Sequence, residues 1–510
     1  MVSTFHVEHF GCRAARADGE AVSDRLRVAG LSEGEPSAAD VVVVNTCSVT
    51  AEADRAARAF IRRAHRVNPA ARIVVTGCYA QRAPQELARM AGVAAVVGNS
   101  HKALAPEIVF ELARDGTAVG LAASPELVSA ESLMDGSARA SAPIWADDRF
   151  AHSFLEEAQV MPGVQTRPNL KIQEGCGNRC AFCVIPQTRG SSRSLPAAAV
   201  LRQVKGFVAA GGKELVLSGI NLGRWGRDLA GTAREWPVRG LCSPTLSAER
   251  GDAGSSTSAA TATLAQKDGA PSLCGAPATG PTLAGLVREI IAGTGLARLR
   301  LSSVEPMDWN EELIGLMAEF GGTRLARHAH LPLQSGSDTV LRRMHRRYRP
   351  WHYVEKVEAL VRTAGPELTL GADVMVGFPG ETDGEFEETL DLVRALPFGY
   401  LHLFPFSPRP GTRGWALHAA QPVPAAVVEE RMAALRTLAA EKSETHRRCF
   451  AGRELEAITL HTPAEVEARG RTAALTENFL PIEVKGRLEA NRLARVRVTG
   501  LTAEGVLQGQ

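Results

Sequence analysis

The sequence has no apolar run approaching the ~18–20 residues that a membrane-spanning helix needs, although 45% of its 510 residues are hydrophobic. Its opening, Met-Val-Ser-Thr-Phe-His-Val-Glu-His-Phe, lacks the charged and apolar regions of a secretory signal. A cytoplasmic protein with no membrane partner is therefore expected. A dominant charge of one sign is missing too, with 58 Lys and Arg against 56 Asp and Glu. A nucleic-acid partner would have to be held by local patches, without a global basic field. Nine cysteines in a reducing compartment argue against a disulfide framework and leave metal or catalytic roles for some of them. Missing above all is a fourth ligand. Cys176, Cys180 and Cys183 are spaced C-x3-C-x2-C, with neither the second C-x2-C pair nor the histidines that close a structural zinc site.

Three thiolates on a four-iron cluster leave one iron with an open position, where a small chelating molecule can bind and receive an electron. Residues up to about 120 alternate short β-branched runs with amphipathic helices, as in the strand expected at 40–45, the helix at 52–67 and the strand at 72–77. That pattern predicts a parallel sheet covered on both faces. Cys12, Cys47 and Cys78 each fall where a strand stops. The carboxyl ends of strands form the ligand crevice of open α/β sheets, so these cysteines can converge into a second three-thiolate site. The plain alternative is that they are small buried residues that only pack.

The stretch 124–162, punctuated by Pro125, Pro143 and Pro162, reads as a linker. Strands expected at 214–219, 297–303, 328–333, 368–376 and 400–404, with helices at 282–292 and 350–363, predict an open or closed β/α barrel with its site at the carboxyl face. An insertion at 229–281, rich in Gly, Ser, Ala and Thr, interrupts it and is expected to be disordered; Cys242 and Cys274 within it receive no role. A helix at 425–448 leads to short strands at 455–460, 471–475, 482–484 and 495–498, the pattern of a small β-barrel.

The C-x3-C-x2-C spacing with Phe182 before its last cysteine resembles the signature of the radical S-adenosylmethionine superfamily. The wider set resembles the methylthiotransferase family over nearly the whole chain. It comprises Phe10-Gly-Cys12, Val44-Asn-Thr-Cys47-Ser-Val-Thr50, Val75-Thr-Gly-Cys78-Tyr-Ala-Gln81, Lys171-Ile-Gln-Glu-Gly-Cys176, Leu331-Pro-Leu-Gln-Ser-Gly-Ser337 and Asp373-Val-Met-Val-Gly-Phe-Pro-Gly-Glu-Thr382. The resemblance implies an α/β fold in three parts: an N-terminal parallel-sheet domain at 1–123, a radical SAM partial β/α barrel at 162–420, and a TRAM-like RNA-binding β-barrel at 450–510. It implies two 4Fe-4S clusters, with Cys176, Cys180 and Cys183 holding the one that cleaves S-adenosylmethionine to a 5′-deoxyadenosyl radical. Cys12, Cys47 and Cys78 would hold the one that carries the transferred sulfur. No catalytic residue beyond these ligands is implied. Phe182, Gly212, Glu214, Glu305 and Gln334 match positions expected around the cofactor. An electron donor and a monomeric state are expected.

The family divides by substrate. Gly219-Ile-Asn-Leu-Gly-Arg-Trp-Gly226, Arg300-Leu-Ser-Ser-Val-Glu-Pro306 and His402-Leu-Phe-Pro-Phe-Ser-Pro-Arg-Pro-Gly-Thr412 look most like the branch that converts C–H to C–SCH3 on threonylcarbamoyladenosine at position 37, in the transfer RNA anticodon loop. The alternatives are the branches acting on isopentenyladenosine or on a ribosomal protein aspartate, and a non-catalytic iron–sulfur RNA-binding protein. Arg342, Arg343, Arg346, Arg347 and Arg349 crowd around His345 and Tyr348. On a helix Arg342 and Arg346 would share a face, a cluster suited to phosphates, with Tyr348 free to stack on a base. The chain departs from the family pattern at Ala15, Gln187, Ser191 and Leu195.

Overall fold

Val41, Val42, Val43 and Val44 are all fully buried. Val41 and Val43 pack with Phe5, Val74 and Val97, whereas Val42 and Val44 pack with Ile61, Ile73, Val75 and Val96. This is the period of two of a strand covered on both faces. A computed structural model describes residues 3–115, 141–148, 150, 155, 166–229 and 280–510. The linker expected at 124–162 lies mostly outside the described residues, and the insertion expected at 229–281, with Cys242 and Cys274, lies almost wholly outside them.

The first sheet contains β1 (Thr4–His9), β2 (Ser32–Glu33), β3 (Val41–Thr46), β4 (Arg72–Gly77), β5 (Val93–Gly98) and β6 (Ile144–Trp145). Its order is β2-β1-β3-β4-β5-β6, and every pairing is parallel. Three helices begin at its carboxyl edge, just after β1, β3 and β4: α1 (Arg13–Val28), α2 (Ala51–Val67) and α3 (Cys78–Arg82). Thr50 starts α2, its hydroxyl accepting from Ala53 N at 3.2 Å.

A second sheet, ordered β10-β9-β7-β8, holds β7 (Asn169–Glu174), β8 (Arg193–Ser194), β9 (Glu214–Gly219) and β10 (Arg298–Leu301). A third, β11-β12-β13, holds β11 (His328–His330), β12 (Thr369–Val376) and β13 (Phe398–Pro405). Ala326 N donates to Leu299 O at 2.9 Å and Val304 N to His330 O at 3.1 Å, joining the two sheets into one curved, open barrel wall. Leu215, Leu217, Leu299, Leu301, Leu370 and Val374 face a single apolar core shared with the outer helices. The alternating residues Glu214, Arg298, Arg300, His328, His330 and Asp373 therefore face inward, and the lumen is polar.

The C-terminal part is a closed five-stranded barrel, β14-β15-β16-β18-β17, from β14 (Glu454–Thr459), β15 (Arg471–Thr476), β16 (Pro481–Lys485), β17 (Leu493–Leu501) and β18 (Leu507–Gly509). Four of its strands overlap those expected; β18 was not expected. This barrel stoppers the amino-terminal mouth of the open barrel. Arg300 Nη2 reaches Thr476 O at 3.3 Å, Arg327 Nε pairs with Glu477 at 2.8 Å, and the Phe479 ring lies 4.4 Å from that of His328.

The helix Ala425–Arg448 ties the two barrels together, with His446 Nε2 2.9 Å from Thr369 Oγ1 on β12. Burial, helped by Arg447, pulls the His446 pKa down from 6.5 to about 4. The unfolded chain takes up this proton near 6.5 and the folded chain only near 4, so its contribution is full above pH 6.5 and is lost as pH falls through that window. The expected size is on the order of 3 kcal/mol. Denaturant unfolding of the cluster-free chain at stepped pH should show His446→Gln with a shallower loss between pH 6.5 and 4 than the parent; superimposable slopes would refute this.

Candidate metal centres

Strand order β1-β3-β4 sets three carboxyl ends side by side, and each carries a cysteine. Cys12 caps α1, Cys47 follows β3 and Cys78 opens α3. Gly11, at φ +104°, brings the first loop so close that a Cβ there would lie 2.6 Å from Cys47 Sγ. Cys47 and Cys78 are buried, while Cys12 is open to solvent. The Cys12 thiol is pulled down to about 5, first by a hydrogen bond from Cys47, with the charge of Arg189 adding to it. Cys78 Sγ accepts from Arg189 Nε at 3.2 Å and from Asn99 Nδ2 at 3.4 Å.

The second trio lies on the loop after β7. Gly175, at φ +72°, passes so close to the returning chain that a Cβ would sit 1.9 Å from Ser191 O. Cys176 N donates to Gly190 O at 3.1 Å, Cys183 N to Cys180 O at 3.1 Å and Ala181 N to Met344 O at 2.9 Å. Cys176 Sγ accepts from Asn178 N at 3.4 Å and from Asn221 Nδ2 at 3.6 Å; Cys180 Sγ accepts from Arg346 Nη1 at 3.5 Å. Burial pushes the Cys183 thiol up to about 12, so at neutral pH a bound cation is needed to hold it as thiolate. Among the described residues only His330, Asp373 and His402 bring three ligand atoms within 4.8 Å of one another. The wider cysteine sets suit a multi-iron cluster, in which each thiolate takes a different iron, better than one ion.

Around the second trio the strand ends are lined with unsatisfied polar atoms. Ser218 Oγ, Asn221 Oδ1, Ser302 Oγ and Gln334 Oε1 are buried without partners, which in a folded protein calls for a ligand or water. These donors and acceptors fit the amino acid and ribose groups of S-adenosylmethionine. Of the expected contacts, Gln334 is here, at φ +65° with its carbonyl accepting from Met375 N. Glu305 is near too, its carboxylate 2.6 Å from Arg346 Nη2. Phe182 packs against the barrel core beside the cysteines.

Gly212 and Glu214 are not brought to the site. Glu214 stands at the amino end of β9, fully buried, accepting from Arg300 Nε at 3.0 Å and Arg298 Nη1 at 3.2 Å. Burial would raise its pKa, but Arg300, Arg167 and Arg298 outweigh that and hold it ionised. At Gly212 a Cβ would strike the Phe207 ring at 2.2 Å. Both residues serve packing at the stoppered end, and Asn221, beyond the carboxyl end of the same strand, is the residue that reaches Cys176.

The arginine run also resolves differently from expectation. Its helix ends at Arg343, so Arg346 does not share a face with Arg342. Instead Arg346 is buried between Cys180, Glu305 and the Tyr348 ring, 4.9 Å from the ring centroid. Tyr348 is fully buried, its hydroxyl 2.7 Å from the Leu333 carbonyl, and cannot stack on a base. Arg343 pairs with Glu385, and Arg342 and Arg349 pair with Asp338. Arg346, Asn221 and Asn99 are the site residues that sequence reading missed; a polar residue just past a strand end was the signal available for Asn221. Leu195, one of the departures from the family pattern, is buried in the barrel core.

A buried charge network joins the two trios. Asp18 from α1 and Glu174 from β7 are surrounded by Lys102, Lys171 and Arg189, with Lys171 2.9 Å from Glu174 and Arg189 2.9 Å from Asp18. Burial raises both carboxyls, but the three cations outweigh it and keep them ionised. For Lys171 the two carboxylates overcome burial and its pKa rises, whereas for Lys102 burial prevails and its pKa falls. Three cations against two carboxylates leave positive charge beside Cys78 and Cys12, which an anionic thiolate-bound cluster would balance.

Glu214 and Gln334 separate packing from cofactor binding. Glu214→Gln leaves buried arginines short of a counter-charge and should destabilise the fold by about 3–5 kcal/mol, with S-adenosylmethionine affinity of the folded fraction unchanged. Gln334→Leu should do the reverse. Calorimetric titration and denaturant unfolding of both variants test this, and an affinity loss confined to Glu214→Gln would overturn the assignment.

A model of the uncharacterized protein family UPF0004 matches residues 4–98, and that of the radical SAM superfamily matches residues 273–393, beyond the cysteine loop. The chain is 31% identical to a threonylcarbamoyladenosine tRNA methylthiotransferase of Aquifex aeolicus, covering 96% of this chain and 99% of the relative. It is 31% identical to that of Bacillus subtilis, covering 94% and 90%. It is also 32% identical to the tRNA-2-methylthio-N(6)-dimethylallyladenosine synthase of a Parafrankia species, covering 98% and 84%. Among solved structures, the radical S-adenosylmethionine methyltransferase TsrM of Kitasatospora setae superposes with a TM-score of 0.50 at 14% identity, covering 79% and 75%. That likeness speaks for the fold alone. Identity at this level along nearly the full length, on a chain whose two cysteine trios sit beyond the carboxyl ends of strands in two separate sheets, shows that it belongs to the radical SAM tRNA methylthiotransferase family.

Proposed function

We propose that this chain converts C–H to C–SCH3 on threonylcarbamoyladenosine at position 37 of transfer RNA, in the cytoplasm, as a monomer supplied with electrons by a separate donor. Overall identity does not choose between the tRNA branches, since relatives of both lie at 31–32%. The observation that carries the reading is His402, in the segment that looks like the threonylcarbamoyladenosine branch. Its side chain is 57% exposed, and its Nδ1 lies 3.3 Å from Asp373 Oδ1. Asp373 is held ionised against burial by His330 and His402. An Asp-backed imidazole suits a substrate with a carboxylate and a hydroxyl, and has no partner in an apolar isopentenyl group.

Two 4Fe-4S clusters and S-adenosylmethionine, when bound, supply the electron, the radical and the sulfur. The chain's part is to hold them apart on two sheets, to orient the cofactor with Asn221, Ser302 and Gln334, and to shield the Cys180 side with Arg346 and Tyr348. For the RNA, the terminal barrel leaves Lys485, Arg487 and Arg495 exposed, charges that can pair with phosphates of the anticodon stem-loop.

Mass spectrometry of transfer RNA nucleosides tests the substrate. Cells lacking the protein should lose the methylthio form of threonylcarbamoyladenosine and regain it on restoration, whereas restoration with the His402→Leu variant should give little. In vitro that variant should lose about tenfold or more in kcat/KM, the worth of one charge-assisted hydrogen bond. An unchanged nucleoside profile would refute the reading. The two trios are tested separately. Cys180→Ala should abolish formation of 5′-deoxyadenosine, while Cys47→Ala should retain it and yield no methylthio product; equal loss in both would sink the division of labour.

A further inference from the structure

We infer that Arg189 is a positioning residue that tunes the metal cluster held by Cys12, Cys47 and Cys78, and that it does so from the loop that carries the other cluster. The inference rests on the proposal that a cluster occupies those three cysteines.

Arg189 is fully buried and ends the short helix Ile185–Arg189, which begins two residues after Cys183. Its Nη1 is engaged by Asp18 at 2.9 Å and by Glu174. Its Nε donates to Cys78 Sγ at 3.2 Å. In a guanidinium, Nε and Nη2 share one edge, a planar fork that presents two N–H donors in the same direction. Here Nη2 is buried and has no partner. Half of the fork is thus satisfied by the cysteine sulfur, and the other half is aimed beside it with nothing to receive its hydrogen. A second sulfur, belonging to a cluster bound at Cys78, is the acceptor the geometry calls for.

The placement also couples the two sites. Gly190, the next residue, accepts from Cys176 N at 3.1 Å, and Glu174, two residues before Cys176, pairs with Arg189. Within two residues the chain touches a ligand of each trio. Asn99 adds a neutral donor to the same Cys78 Sγ and is itself fixed by Thr188 O at 2.8 Å, next to Arg189. Hydrogen bonds to cluster sulfurs and nearby positive charge favour the reduced, more negative state and raise the reduction potential. Loss of the fork should therefore lower it.

The test uses the full chain with Cys176, Cys180 and Cys183 all changed to alanine, so that only the other cluster contributes signal. Iron content and the reduction potential, followed by electron paramagnetic resonance of the reduced state, are read in this parent and in Arg189→Lys and Arg189→Met versions of it. Arg189→Lys keeps a charge for Asp18 and Glu174 but loses the fork. The expected result is unchanged iron with a lowered potential in both, the larger shift in Arg189→Met, and an altered resonance line shape. An unchanged potential with full iron would make Arg189 purely structural and overturn the inference. Loss of iron from both versions would place it in site assembly and overturn the inference equally. Absence of iron from the parent would instead refute the underlying cluster reading.

Discussion

Five charges with little exposure, Asp18, Glu174, Lys102, Lys171 and Arg189, decide how the first sheet meets the open barrel. Two come from the N-terminal part and three from the strand and loop around Cys176. Burying such groups is unfavourable unless each finds partners in good geometry, and removing one strands the rest. The two parts therefore have one docking geometry that satisfies all five, and that geometry sets Cys78 within reach of Arg189. A second clamp repeats the logic at the far edge of the interface, where Asp54 on α2 is gripped by Arg82 at 2.8 Å and by Arg409, from the loop after β13, at 2.6 Å. Apolar packing builds each part; charge pairing fixes their relation.

The same division runs through the open barrel. Its outer face is aliphatic and its lumen carries Glu214, Arg298, Arg300, His328, His330 and Asp373. At the stoppered end Glu214, Arg298 and Arg300 pair with one another and, through Glu456 and Thr476, with the terminal barrel, while Arg327 beside them pairs with Glu477. At the carboxyl end polar atoms are left over, at Ser218, Asn221, Ser302 and Gln334. The terminal barrel occupies the amino-terminal mouth, so ligands belong at the other, beside the cysteine loop.

Much of this was legible in the sequence because it is periodic or covalently spaced. The valine run of β3, the strands at 72–77 and 214–219, the long helix at 425–448 and the six cysteines follow from local pattern. The sequence-level errors share one cause. Sequence assigns Glu214 from a family resemblance and Arg346 from an arginine-rich stretch, while their roles are set by residues 84 and 166 positions away, Arg298 and Cys180. Charge runs look like surface because isolated charges avoid burial. A buried arginine paired across the fold breaks that rule, and no local pattern announces it. The strand β18 escaped for the related reason that three residues carry too little periodicity to register.

The row of rings along the lumen bears on what the site can hold. Phe479 of the terminal barrel lies against His328, and Tyr400 lies within 6 Å, centroid to centroid, of His328, His330 and His402. The column starts at the stoppered mouth and ends at His402, the one ring in it that is exposed. Ser303 Oγ, 2.6 Å from His330 Nδ1, fixes that imidazole's orientation, and Asp373 bridges it to His402. Every member below the top is therefore committed to a neighbour, and only the last presents a free edge and face. A purely apolar side group would leave this edge unpaired, at the cost of desolvating it. A nucleobase bearing an anionic substituent would use both surfaces, stacking on the ring and accepting from its free nitrogen. The polar column thus favours the charged nucleoside over the aliphatic one on grounds independent of sequence identity, which is nearly equal for the two.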